Sequence, residues 1–326
     1  MAGRRAVLQK LVTLERSVSR AYVSAIQSKR IVISELETLI NKNDFEGVVS
    51  ALEIEQDDVS AVIEELRSSV IQGAELEKTR SAKSINPNTE KTALWLQEKS
   101  GALITAINKS TRASVTEILA ANALSGLGAR ATALDLAGRV DERGNRTGGV
   151  IGLNNQQALA ALNARENLAS GDPEKMRKYL QNERRDKRFD GQVKRAINGE
   201  AALTSGDIDK ITSRYQARLL QTRGETIART ETAQALNQGR LAQVEKNAGN
   251  ANAIIMKKWV SGPDDGRQRH THTEANGQVR EINQPFEVGG YQMMEPGDSS
   301  LGAPAEEIIN CRCTVAFEMI KETEES

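Results

Sequence analysis

Ile254-Ile255-Met256-Lys257-Lys258-Trp259-Val260 reads as a β-strand, and the Ser261-Gly262-Pro263-Asp264-Asp265-Gly266 run behind it is a strong turn. Upstream of Gly249, apolar residues recur every three or four positions, the period of a helix. From Ile254 on, short segments are broken by Gly277, Gly289-Gly290, Pro296-Gly297 and Gly302, and Thr314-Val315-Ala316-Phe317-Glu318 reads as a final strand. The change of period predicts an α+β chain that is mainly α. Long helices fill the N-terminal two-thirds, and a small C-terminal α+β domain with short antiparallel strands follows.

Outward from this point, a helix is expected over 206–247, capped by Thr204-Ser205-Gly206-Asp207. Two shorter helices are expected over 154–170 and 174–197, separated by Gly171-Asp172-Pro173, with Pro173 suited to a first helical turn. The polar, glycine-rich run 141–149 reads as a loop, and a further helix covers 89–122. Near the N-terminus, Leu8, Leu11, Glu15, Val18, Tyr22 and Ile26 form one stripe of a helix over 6–41. Asn41-Lys42-Asn43-Asp44 breaks it and caps a second helix over 45–78, giving a helical hairpin or coiled coil. The turn at Ser84-Ile85-Asn86-Pro87-Asn88 then divides the chain into 1–84, a helical middle region 85–205, and 206–326 with the long helix and the C-terminal domain.

Ten aromatic residues in 326, four of them from Trp259 onward, imply thin helical layers and a C-terminal part that packs best. The formal net charge is zero, so global charge does not point to nucleic acid. Charge is nonetheless blocked: 4–30 is basic, 35–78 acidic and 174–195 basic. No apolar run approaches the roughly eighteen residues that span a bilayer, and the basic N-terminus lacks the apolar core of a secretory signal. Two cysteines are too few for a disulfide framework, so synthesis in a reducing host cytoplasm is expected.

The motifs concentrate after residue 228. Ala228-Arg229-Thr230-Glu231 is followed on the same helix by Asn237 and Gly239, then by the strand ending in Lys258-Trp259. Asp265, Arg267, Arg269 and His272 come next, then Gly277, Pro285-Phe286, Pro296-Gly297-Asp298 and finally Asn310-Cys311-Arg312-Cys313. This order resembles the phage Mu F-like, or head morphogenesis, family of minor head proteins; the helical first two-thirds resemble nothing nameable. The resemblance implies a non-catalytic virion protein in the phage head, present in few copies at the portal vertex. Its implied partners are the portal protein and capsid or scaffold components, and it implies a role in head morphogenesis and in DNA packaging or ejection. No membrane partner is expected during assembly.

Each motif has more than one physical reading. Arg229, Ala233 and Asn237 share a helix face, so Arg229 and Asn237 are expected to enter a buried polar network, with Asp265 or Glu231 as the carboxylate for Arg229. If the segment is extended, Asp265, Arg267 and Arg269 share a face as an internal ion-pair ladder or a phosphate anchor. The two histidines, His270 and His272, form His-x-His, and the two cysteines, Cys311 and Cys313, form Cys-x-Cys. On strands each pair points one way, so the four could meet as a tetrahedral zinc site. The competing reading is two buried thiols beside Phe317 and a histidine bonded to backbone. Arg184, Arg185, Lys187 and Arg188 could touch genomic DNA or form a solvated helix face. Two functional alternatives stand beside the structural role: a DNA-binding ejection factor, and a nuclease or ADP-ribosyltransferase-like enzyme using Arg229, Glu231 and His272.

Overall fold

The computed structural model describes residues 3–78, 90–140, 144–249, 253–262, 266 and 268–321. In chain order the helical part comprises α1 (Arg4–Ser28), α2 (Ile33–Asn41), α3 (Phe45–Leu52), α4 (Ser60–Glu77), α5 (Glu90–Leu124) and α6 (Ala129–Ala137). A two-stranded ribbon, β1 (Arg139–Val140) with β2 (Arg146–Thr147), precedes α7 (Asn155–Ala169), α8 (Pro173–Leu180), α9 (Asp190–Ile197) and the long α10 (Ser205–Gly249). The C-terminal part runs β3 (Ala253–Val260), α11 (His270–Glu274), β4 (Val279–Glu281), β5 (Phe286–Val288), β6 (Tyr291–Met293), α12 (Ala305–Ile308) and β7 (Thr314–Lys321). The chain is therefore α+β and mainly α, as its periodicity predicts.

Two compact units form, and neither is a consecutive stretch. One gathers Met1–Tyr22, Ala61–Glu98 and Gly224–Ser326; the other gathers Val23–Ser60 and Lys99–Arg223. The divisions 1–84, 85–205 and 206–326 expected from loop composition follow the chain, whereas these units follow packing between segments far apart in sequence.

Within the unit built around Lys99–Arg223, two expected long helices are broken by side chains that capture the backbone. The helix expected over 6–41 stops at Ser28. There Lys29 pairs with Asp58 at 3.0 Å, and the Lys29 carbonyl accepts the Arg146 guanidinium at 3.2 Å. The helix expected over 45–78 breaks between Leu52 and Ser60, where the Asn108 amide bonds both the N–H and the C=O of Ile54, at 2.8 and 3.0 Å. One side-chain amide thus replaces two helical hydrogen bonds. The helix expected over 174–197 gives way to a 3₁₀ turn at Lys187–Phe189, capped by Asp186. The expected caps do form. Asp44 accepts from Gly47 N–H, Asn154 and Gln157 make a capping box, Pro173 opens α8, and Thr204 and Asp207 bond reciprocally.

In the unit holding the C-terminal residues, α1 packs Val7, Leu11 and Leu14 against Ala233 and Leu236 of α10. Helices α4 and α10 meet backbone to backbone. A Cβ on Gly73 would lie 2.1 Å from the Leu236 carbonyl oxygen, and one on Gly239 would lie 1.8 Å from that of Val70. Below this crossing, Arg240 is buried with Glu77, at 2.7 Å, and also donates to Thr314 Oγ1 at 2.7 Å. Asn247 donates to the Glu77 carbonyl, and Gln243 to Asn247, so the polar atoms of this face are paired with one another.

Strand β3 is the centre of an antiparallel sheet ordered β4-β3-β7, with Trp259 opposite Val315 and Lys257 opposite Phe317. Alternation along β3 buries Ile255, Lys257 and Trp259 on one face. Lys257 reaches this face by donating to the Met294 carbonyl at 2.7 Å and lying 5.0 Å from the centre of the Phe286 ring. Strands β5 and β6 form a hairpin across Gly289-Gly290, both at positive φ, as a two-residue turn between right-twisting strands requires. Trp259, Phe286, Val288, Met293, Val315 and Phe317 form the core with Cys311 and Cys313.

Candidate functional site

The segment from Arg269 to Glu274 is helical, not extended: Arg269 precedes α11, and His270–Glu274 form it. Two residues apart on a helix lie about 200° apart around the axis, so His270 and His272 diverge. His270 is exposed and pairs with Glu274 at 3.5 Å, whereas His272 is 2% exposed. The four-residue His-Cys cluster expected from strand geometry is thereby reduced to three. Asp265 and Arg267 lie outside the described residues.

The His272 ring stands edge-on to Trp259, with ring centres 5.5 Å apart. Its Nε2 lies 2.9 Å from Glu307 Oε2, and its Nδ1 lies 3.3 Å from Cys313 Sγ and 3.5 Å from Cys311 Sγ. A carboxylate oxygen only accepts, so this contact places a proton on Nε2 and, in the neutral ring, turns the Nδ1 lone pair toward the sulfurs. Thr271 donates to the same Glu307 oxygen at 3.0 Å and fixes the carboxylate. The competing sequence reading, a histidine tied to backbone through its ring, is replaced by one tied to a carboxylate and two thiols.

Cys311 and Cys313 are free and buried, and they flank Arg312 on an extended approach to β7, so both side chains face His272. The Cys313 N–H donates to Cys311 Sγ at 3.4 Å, and the Gly262 amide donates to Cys313. The hydrogen bond between the two cysteines pushes the Cys311 thiol well up and brings Cys313 down.

Residues from three other segments clasp the loop that carries these thiols. Arg229 donates to Asn310 Oδ1 at 2.8 Å, and the Asn310 N–H donates to Thr230 Oγ1 at 3.2 Å. Arg269 donates to the Ile309 carbonyl at 2.6 Å. Asn310 itself turns the chain at φ 62°, a conformation asparagine tolerates better than most residues. Arg312 reaches back to Glu15 at 2.9 Å; burial raises the Glu15 carboxyl, while Arg312 and Arg229 oppose that rise. Among the described contacts Arg229 reaches Asn310, while Asp265, one of the two carboxylates expected for it, lies outside the described residues. Asn237 does join the buried network, 3.5 Å from Thr314 Oγ1.

Sequence reasoning missed three residues. Arg240 and Glu77 carry the buried ion pair; Arg240 follows Asn237 by three positions on the same helix face, so the spacing held the signal. Glu307 sits in the four-residue α12 and had no periodicity to mark it. The basic run is largely neutralised within its own neighbourhood. Arg185 forks onto Asp190 with two bonds of 2.9 Å, and Arg188 pairs with Asp186 at 2.6 Å, holding that carboxyl down at about 2. Arg184 donates to Thr222, and Lys187 is exposed. Among the described residues, no helix is long and apolar enough to cross a membrane.

Compared with known proteins, residues 192–316 match the family model described as phage Mu protein F like protein. That span contains α10 from its start, β3, β4 and the first three residues of β7, and all three buried donors. Neither a curated protein nor a solved structure matches the chain.

Proposed function

We propose, from the membership of residues 192–316 in the phage Mu protein F like family, that this chain is a non-catalytic structural protein of the phage head. The match supports a head morphogenesis protein with other head components as its partners. The finer reading is a minor capsid protein that sits with the portal protein in the assembled virion and acts while DNA is packaged or ejected.

The observation that carries the structural reading is the fate of the motif side chains. Arg229, Asn237, Arg269 and His272 each bond to the protein's own loops and core. Groups held in this way fix a fold; a catalytic constellation needs a base and an orienting partner converging on space for a substrate. Against the enzyme alternative, Arg229 is engaged by Asn310 and His272 by Glu307 and the two thiols.

The test is assembly. Heads made with and without this chain, alongside the portal and major capsid proteins of the same phage, are separated by sedimentation and imaged. The expected result is co-sedimentation with heads in few copies, density at the portal vertex, and fewer DNA-filled heads when the chain is missing. A chain that stays at the top of the gradient, or heads that fill normally without it, would overturn the reading.

A further inference from the structure

We infer that His272, Cys311 and Cys313 form a zinc site, with Glu307 as the carboxylate that orients the imidazole. The inference stands on geometry in the C-terminal part and is independent of the head-assembly role.

The three donor atoms lie within 4.8 Å of one another in a buried position. A tetrahedral zinc ion with bonds of about 2.3 Å to sulfur and about 2.05 Å to nitrogen sets N and S about 3.5 Å apart. The two Nδ1···Sγ separations are 3.3 and 3.5 Å, so an ion fits between the donors with little movement. A direct hydrogen bond explains one sulfur beside Nδ1, but a single ring nitrogen facing two sulfurs at these distances is the arrangement of a shared ligand.

The surroundings suit thiolate ligands. Each sulfur accepts a backbone N–H, from Cys313 and from Gly262. The second ring nitrogen is held by Glu307, itself fixed by Thr271, which is the outer-shell arrangement that sets the tautomer of a metal-bound histidine. Zinc accepts this mixed sulfur and nitrogen set, and three protein donors leave the fourth tetrahedral position to water. The ligands come from α11 and from the approach to β7, about forty positions apart, so the ion would staple two segments of an aromatic-poor domain.

Full-length protein, purified under reducing conditions without chelator, should carry about one zinc per chain by elemental analysis. Replacing zinc with cobalt should give thiolate-to-cobalt charge-transfer absorption, abolished in Cys313→Ser. Glu307→Gln should keep the fold and weaken zinc binding by about 10–100-fold. His270→Ala should bind zinc as the parent does. Should the serine variant fail to fold, the cobalt spectrum of the parent chain and the Glu307→Gln titration still decide. The inference is overturned if the reduced parent takes up neither zinc nor cobalt, if binding survives loss of both thiols, or if His270→Ala abolishes it.

Discussion

Gly73 and Gly239 stand at one helix crossing, each facing the backbone carbonyl of the residue three positions before the other: Gly73 meets Leu236, and Gly239 meets Val70. The exchange of partners runs in opposite directions along α4 and α10, so the helices cross antiparallel with no side chain between them. A methyl group at Gly239 would lie 1.8 Å from an oxygen that belongs to backbone and cannot swing aside. Gly239→Ala is therefore expected to destabilise the protein by about 3 kcal/mol or more, at the upper end of overpacking effects. Thermal melting monitored by circular dichroism checks it; a melting temperature within a degree of the parent would show that the helices separate freely.

Arg240 and Glu77 make a buried pair whose partners are more valuable together than either is alone. Arg240→Met leaves the Glu77 carboxylate buried without its cation, a loss of about 3–5 kcal/mol. Adding Glu77→Met removes the orphaned charge, so the double variant should recover much of that loss. Urea denaturation of the two singles and the double measures the coupling directly. Additive losses would mean that the pair is not an interacting unit.

Lys257 gives a pH dependence of known sign. Burial brings its ammonium down to about 8 from the ordinary 10.5, so between these values the unfolded chain binds more protons than the folded one. Stability from this group should therefore rise as pH climbs from about 8 to about 10.5, and the burial penalty is fully present below that window. Lys257→Met keeps the apolar stem and should flatten the rise. Denaturant midpoints across this range, corrected for the parent's other titrating groups by the difference between the two proteins, test it; identical pH profiles would refute the assignment.

Arg185 and Arg188 are held by Asp190 and Asp186, so their charge is already matched locally. Replacing both with glutamine should leave the salt dependence of any DNA retention unchanged, because few counterions are released by a paired arginine. It should instead loosen the turn between α8 and α9 and lower the melting temperature. A salt slope that becomes clearly shallower would restore the DNA-contact reading of this run.

Much of the architecture was legible from periodicity. Strands β3 and β7 stand out because alternation and β-branched residues coincide, and the caps at Asp44, Asn154, Pro173 and Thr204 use local chemistry that sequence carries on its face. The breaks after Ser28 and Leu52 were not legible, because Arg146 and Asn108 make them from more than fifty positions away. The site divided in the same way. Histidine and cysteine were identifiable by type, but their convergence depended on α11 being a helix, which sends His270 outward and leaves Glu307 to complete the setting. Arg229 was read as a network member, but its contact with Asn310 was not foreseen, since the left-handed turn that brings the amide to it has no signature beyond a single asparagine.

The ion pair between Glu15 and Arg312 joins positions nearly the whole chain apart. During synthesis, Val23–Ser60 and Lys99–Arg223 leave the ribosome before β3 to β7 are made. Helices α1 and α4 can meet early, through Lys10 and Gln72, but the Ala233 and Leu236 side chains that complete the seam come later, on α10. The unit that joins Met1–Tyr22 to Gly224–Ser326 therefore cannot be completed before its last segment is made, and its contacts span more of the chain than those of the other unit.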